Sequence, residues 1–339
     1  MIKSHPKSTA RRRNRRAALS LIGGVLAAPW IIGSAARAQA AWPNRPVRYI
    51  NPYPAGGATD SLSRLFCARL SELTGQQFIV ENRGGGGGDV GVEAVARSEP
   101  DGYTLGLGGI ASHAISPTLK AGKMPFDASR DFTFLTNIYS LPNFLIGNLG
   151  LAAGTVPELI ELMRRSPGKT FYASAGPGTT LHLSGELFKL LANVDMVHVP
   201  YRGEALGIAD LIGGQVQLIF ANIPSALTQY RAGKVKGYGV TSAVRSAMVP
   251  DVPAIAEFLP GFDISSWTSL IGPARIPEPV VERISMFTRQ ALESAALKQQ
   301  FLERGATASW LSVQDATAYR ASEEARLGNI IREAKITLD

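Results

Sequence analysis

Pro52-Tyr53-Pro54-Ala55-Gly56-Gly57-Ala58-Thr59-Asp60-Ser61 lies between two segments of different periodicity, and that position decides the fold class. Upstream, Val47–Asn51 reads as a buried strand. Downstream, Ala58 to Leu73 sets Leu62, Leu65, Phe66, Leu70 and Leu73 at helical spacing, so the stretch is a strand-to-helix loop. Gly56 and Gly57 allow close backbone approach to a ligand, and the free N–H groups of the following turn point at whatever sits there. A helix start of this kind carries about half a positive charge and favours a carboxylate or phosphate.

A second loop has the same physical character. Phe171 to Leu183, F-Y-A-S-A-G-P-G-T-T-L-H-L, is again a strand, a small-residue turn with Gly176 and Gly178, and a helix that Thr179 or Thr180 can cap. Two such loops more than 100 residues apart suggest two lobes presenting helix starts to one cleft. Between and beyond them, strand candidates at Phe78–Val80, Tyr103–Leu107, Phe144–Ile146, Met196–Val199, Val216–Phe220 and Lys236–Val240 alternate with helical patterns such as Val156–Arg165. The expected fold is α/β, two-lobed, each lobe a mostly parallel sheet flanked by helices. The last 65 residues read as mostly helical, with Pro277–Ala296 and Val313–Ile331 as long elements.

The first 40 residues hold eight Lys and Arg, no acid, an apolar stretch from Leu19 to Gly33 and a small-x-small end at Ala38-Gln39-Ala40. This is the pattern of an export leader cleaved after Ala40. The pairs Arg12-Arg13 and Arg15-Arg16 leave the general secretory and twin-arginine routes both open. Without the leader, 35 basic residues fall to 27 against 27 acidic ones. The formal charge of the remainder is zero, so a nucleic-acid or anionic-membrane partner is not expected. Cys67 is the only cysteine; it reads as a small buried hydrophobe, and no disulfide or lipid anchor is expected.

The residues resemble the Bug-type substrate-binding proteins of tripartite tricarboxylate transporters. The resemblance spans essentially the whole chain after the leader. It rests on Trp42-Pro43, P-Y-P-A-G-G-A-T-D (52–60), V-E-N-R (80–83), P-D-G-Y-T-L (100–105), D-F-T (131–133), Y-A-S-A-G-P-G-T-T-L-H-L (172–183), H-V-P-Y-R-G (198–203), G-G-Q-V (213–216), P-D-V-P (250–253), and Trp267 with Gly272-Pro273. It implies a monomeric periplasmic receptor that closes over a small carboxylate and delivers it to inner-membrane transporter subunits. By position it implies ligand contacts from Tyr53, Ala55, Gly56, Gly57 and Asp60 in one lobe, and from Ser174, Gly178 and Thr179 in the other. Tyr201, Arg202 and Asn222 fall on further cleft-facing positions. The implied lobes are 41–141 with 265–339, and 142–264. Where the family often reads Phe-Asp-Asn, this chain has Phe220-Ala221-Asn222, which makes a cationic or amino-acid ligand a poorer expectation.

Other patterns invite different chemistry. G-x-G-x-x-G occurs at 86–91, but a run of five glycines generates it without meaning, and Asp101 follows too early for a ribose contact, so no dinucleotide cofactor is expected. His182 and Glu186 share a helix face at metal-ligand spacing, yet only His113 and His198 remain to complete a set, and no metal is expected. Ser112-His113 are adjacent, and no G-x-S-x-G elbow occurs. A receptor is therefore expected, not an enzyme. An exported sensory or scaffold protein, or a hydrolase or isomerase using the same cleft, would account for the same loops.

Overall fold

The computed structural model describes residues 42–337, so the leader read at 1–40 lies outside the described residues. The chain opens with β1 (Val47–Asn51) and α1 (Ala58–Thr74), whose end is set by Gly75 in the left-handed region at φ 71°. Next come β2 (Phe78–Asn82), a glycine turn at 86–88, α2 (Asp89–Ala96) and β3 (Thr104–Gly109). A π-turn at 111–115 leads into the short α3 (Ser116–Leu119). β1 pairs in parallel with both β2 and β3, as the α/β pattern requires.

The long strand β4 (Phe132–Gly147) organises the rest. It is buried almost throughout and apolar on both faces, the character of a central strand, although only its Phe144–Ile146 portion stands out as an apolar run in the sequence. Pro142, which has no N–H to donate, is the last residue of the strand paired with β9. Phe132–Pro142 pair with β9 (Ser265–Pro273), whereas Asn143–Gly147 pair with β7 (Leu218–Asn222) and β8 (Lys236–Val240). One strand thereby belongs to two half-sheets.

The second half-sheet is built from α4 (Val156–Arg165), β5 (Phe171–Ser174), α5 (Thr180–Ala192), β6 (Val197–Pro200), α6 (Glu204–Ile212), β7, α7 (Ile223–Arg231) and β8. β5 is parallel to β6 and β7, and Thr155 caps α4 by accepting from the Glu158 N–H. The outer strands are parallel as expected, but the central ones are not: β9 is antiparallel to β3 and β4, and β4 is antiparallel to β7 and β8. The reason is connectivity. β4 and β9 carry the chain across between the halves, so each enters against its neighbours' direction.

Helices α8 (Glu278–Glu293), α9 (Ala295–Glu303) and α10 (Val313–Glu333) return to the first half, with β10 (Thr307–Ala308) on the edge of β4. The helix expected over Pro277–Ala296 is α8, and a second helix follows it directly. Ser294 leaves the helical region at ψ 126° and caps α9 by accepting from the Leu297 N–H.

One apolar cluster crosses between the halves, joining Tyr172, Phe188 and Phe220 to Ile110, Trp267, Leu327 and Ile330. Burying each large side chain there contributes about 2 kcal/mol. Trp267 packs at the crossing, 1 % exposed, with its indole N–H donated to Glu323 at 3.1 Å. Arg326 holds Glu323 and also donates to the Asp263 carbonyl oxygen, tying α10 to the start of β9. Cys67 is buried and unpaired.

Candidate functional site

Strand register brings the two small-residue loops to the same crossing. Gly109 at the end of β3 lies opposite Thr268, which lies opposite Tyr139 of β4. Four residues further along β4, Asn143 lies opposite Asn222 at the end of β7. The carboxyl ends of β1 and β3 therefore open toward the same region as those of β5 and β7, the place where open α/β sheets bind ligands.

Loop 1, Pro52 to Gly57, ends on Gly57 as the cap residue of α1, with no side-chain cap. Ala55, Gly56 and Gly57 are exposed, and Tyr53 is half-buried. Gly56 has φ +83°, which calls for glycine. Gly57 does not need to be glycine for the fold: its φ of −78° suits any residue, and an added Cβ would meet only the Pro54 carbonyl oxygen at 3.7 Å. The absence of a side chain there leaves the first N–H groups of α1 open to an outside partner.

Asp60 is tied into the loop itself. Its carboxylate is buried and already engaged: Oδ2 accepts from the Gly56 N–H at 2.9 Å and from Arg64 at 3.1 Å, and Oδ1 accepts from Asn82 at 2.9 Å and meets Arg64 at 3.0 Å. Asn82 also donates to the Tyr53 carbonyl oxygen. Burial by itself would raise the Asp60 pKa, but these donors outweigh it and hold the carboxyl down to about 2. Asp60, Arg64 and Asn82 form the frame of loop 1. The i, i+4 spacing of Asp60 and Arg64 is visible in sequence, whereas the Asn82 contact is not.

Loop 2 runs from Ser174, buried at the end of β5, to Thr179, the cap of α5. Thr179 Oγ1 accepts from the His182 N–H at 3.3 Å and donates to the Gly176 carbonyl oxygen at 2.7 Å. Ser174 Oγ accepts from the Gly176 N–H at 3.0 Å and lies 2.6 Å from His198 Nε2. Gly178, at φ +75°, donates its N–H to His182 Nδ1 at 3.3 Å. Thr180, in the first turn, bonds Ser266 of β9 at 2.9 Å, so loop 2 is anchored to the crossing strand.

The remaining candidate residues divide by how much of each is free. Tyr201 donates its hydroxyl to Asp210 at 2.6 Å, and burial together with that carboxylate pushes its pKa up to about 12. Its ring face, not its hydroxyl, is what it can offer. Arg202 is exposed and makes no hydrogen bond or ion pair among the described residues. Asn222 gives both its backbone and side-chain N–H groups to Glu204, at 2.7 and 2.6 Å. Its side-chain oxygen is still available. Ala221 is fully buried in an apolar cluster with Phe144, Ile146 and Ala173, an environment in which a methyl group fits and a carboxylate would need a partner. Arg304, just after α9, bonds Ser61 of α1, and the adjoining Gly305 packs on Pro224 of α7, so these groups share one neighbourhood with loop 1.

Alternative chemistries find little support in the geometry. Glu186 is 3.9 Å from His182 but is engaged by the Tyr172 hydroxyl at 2.6 Å and by Lys189 at 3.0 Å. Among the described residues no three His, Cys, Asp or Glu side chains are grouped to hold a metal. Ser112 Oγ lies 2.7 Å from His113 Nδ1, yet His113 is wholly buried among Phe126, Phe132 and Phe134. Burial, then the Arg320 charge, pushes its pKa down to about 3. The glycine run makes a tight turn into α2, with Gly88 beside Pro52 and Tyr53. Cavities of about 430 and 320 Å³ lie beside Trp310 and beside Phe126, and neither is lined by either loop.

Comparison with known proteins places this geometry among relatives. Residues 62–336 match the family described as "Tripartite tricarboxylate transporter family receptor". The chain is 30% identical to the protein BugT of Bordetella pertussis over 86% of this chain and 90% of that one. Among solved structures it is similar to R. palustris Rpa4515 with adipate, at 34% identity and a TM-score of 0.77, covering 87% of this chain and 99% of that one. It is also similar to MatC from Rhodopseudomonas palustris with bound malate, at 28% identity and a TM-score of 0.71, covering 86% and 100%.

Proposed function

We propose that this chain, which belongs to the tripartite tricarboxylate transporter receptor family, captures a small organic carboxylate at the crossing of its two half-sheets and presents it to a membrane transporter. The observation that carries the reading is the convergence of two helix starts, each behind a small-residue loop, on one crossing. Each start favours an anion, so a ligand with acidic groups at both ends is held by both loops. The relatives solved with adipate and with malate support this class.

In this reading Tyr53, Ala55, Gly56 and Gly57 meet the ligand from one side, and Ser174, Gly178, Thr179, Tyr201, Arg202 and Asn222 from the other. Arg202, exposed and without a partner among the described residues, is a ready carboxylate clamp. Asp60 serves as frame, not contact. The lobes are 41–141 with 265–339, and 142–264, hinged where Pro142 lies opposite Ser265. A ligand touching both lobes stabilises the closed arrangement by its differential affinity. Export with cleavage after Ala40, a periplasmic site of action, a monomeric state and the absence of catalysis belong to the same proposal.

The test is to unfold and refold the protein to strip bound ligand, then follow its melting temperature with adipate, malate, other small acids, amino acids, sugars and nucleotides. A ligand at 100 times its Kd stabilises by about 2.7 kcal/mol. A rise confined to acids is expected. A rise with nucleotides or sugars alone would overturn the reading.

A further inference from the structure

Loop 2 is backed by two aromatic rings that the proposed contacts do not include. His182 of α5 and His198 of β6 stack with centroids 3.9 Å apart and planes 10° from parallel, and Tyr172 lies against His198 at 5.0 Å as a third layer. One histidine accepts a glycine N–H of the loop, and the other supports the serine that accepts a second. His182 Nδ1 accepts directly from Gly178, and His198 Nε2 meets Ser174 Oγ, which itself accepts from Gly176. We infer that His182 and His198 are positioning residues for loop 2, a neutral stacked pair that fixes the course of the loop and so the first turn of α5 that it offers to an acidic ligand, and that adding a proton to the pair loosens the loop.

The chemistry is specific. A neutral imidazole has one lone-pair nitrogen, and at His182 the Gly178 bond uses it. Protonation replaces that lone pair with an N–H, so Gly178 loses its acceptor. Two imidazolium rings at this spacing would place like charges face to face, so the pair takes at most one proton. The other titratable groups around it are Tyr172 on β5 and Glu186 and Lys189 on α5. Glu186, bonded to the Tyr172 hydroxyl and Lys189, favours a proton on His198 by its charge, but burial and the neighbouring positive charge outweigh it. Burial, then the Lys189 charge, lowers the His182 pKa to about 4; burial, then His182, lowers that of His198 to about 4. Acid therefore weakens ligand capture, opposite to a scheme in which a histidinium attracts the carboxylate.

This inference rests on the reading that loop 2 meets the ligand, and the experiment separates the two. In isotopically labelled protein without added ligand, the imidazole signals and the Gly176 and Gly178 amides are followed by NMR from pH 7.5 to 3.5, and adipate affinity is measured over the same range. The glycine amides are expected to move with the midpoint of the rings, and adipate affinity to fall with them. His182→Phe keeps the stack but removes the acceptor; it should abolish the pH response at Gly178 and weaken adipate about tenfold, the scale of one hydrogen bond. His198→Phe should act on Gly176 in the same way, through Ser174. Glycine amides that ignore the ring titration, or variants that leave those amides unchanged, would overturn the inference. If the unaltered protein binds no acid, the functional reading fails while the amide titration still decides the role of the pair.

Discussion

Loops 1 and 2 look alike in sequence, yet they are held in place by opposite means. Loop 1 is framed by charge: a carboxylate, Asp60, ties Gly56, Arg64 and Asn82 together. Loop 2 is framed by neutral groups: a threonine cap, a serine and two histidines below their usual pKa. One backbone solution, a small-residue turn before a helix start, thus admits two kinds of support, and they fail in different pH ranges. Both His pKa values are depressed from 6.5 to about 4, so the stability they contribute is present above pH 6.5 and is lost as pH falls toward 4. Asp60 is depressed from 3.8 to about 2, so its contribution is present above pH 3.8 and is lost as pH falls toward 2.

The most disruptive change for function should be Gly57→Val. The backbone at Gly57 suits valine and the nearest atom to an added Cβ is 3.7 Å away, so the stability cost should stay below about 1 kcal/mol. The branched side chain would stand over the first N–H groups of α1, and adipate or malate affinity should fall by a hundredfold or more, about 2.7 kcal/mol. Unchanged affinity by calorimetry would remove loop 1 from the site. Asp60→Asn comes next. It deletes the charge that Arg64 and Gly56 share and should cost about 2 kcal/mol in urea unfolding at pH 7. It should also flatten the loss of stability between pH 3.8 and 2 while leaving the histidine window intact. A variant that keeps the full acid slope would show that some other carboxylate supplies it.

Legibility in the sequence followed the range of the interactions. Both loops, their helices and the Thr155 and Thr179 caps are encoded within a few residues, and they stand where the local pattern puts them. Asp60 stands in the sequence as an implied ligand contact, and its role as a frame is not legible there, because Asn82 reaches it from a strand 22 residues away. His198 likewise meets Ser174 from 24 residues away, and the stack with His182 exists only because β6 lies beside β5. β9 escaped the pattern search because Ser265, Ser266, Thr268 and Ser269 break up its apolar residues, although most of the strand is buried between β3 and β4. The antiparallel centre of the sheet was hidden for the same reason: it depends on which strands carry the chain across, a property of topology and not of local composition.

The smallest expected effect gives the finest test of the contrast between the loops. Thr179→Ala removes the acceptor of the His182 N–H and the donor to the Gly176 carbonyl oxygen, and should cost about 1 kcal/mol. The hydroxyl carries no charge, so the cost should be the same at pH 7 and at pH 5.5, unlike that of Asp60→Asn examined across its own acid window. The threonine is nevertheless bonded to the backbone of the residue whose ring holds Gly178. If the cap and the histidine pair act on loop 2 independently, urea midpoints of Thr179→Ala, His182→Phe and the double variant should be additive within about 0.5 kcal/mol. A larger coupling would mean that cap and ring are one cooperative support, with loop 2 ordered or released as a unit while loop 1 stays fixed by its ion pair.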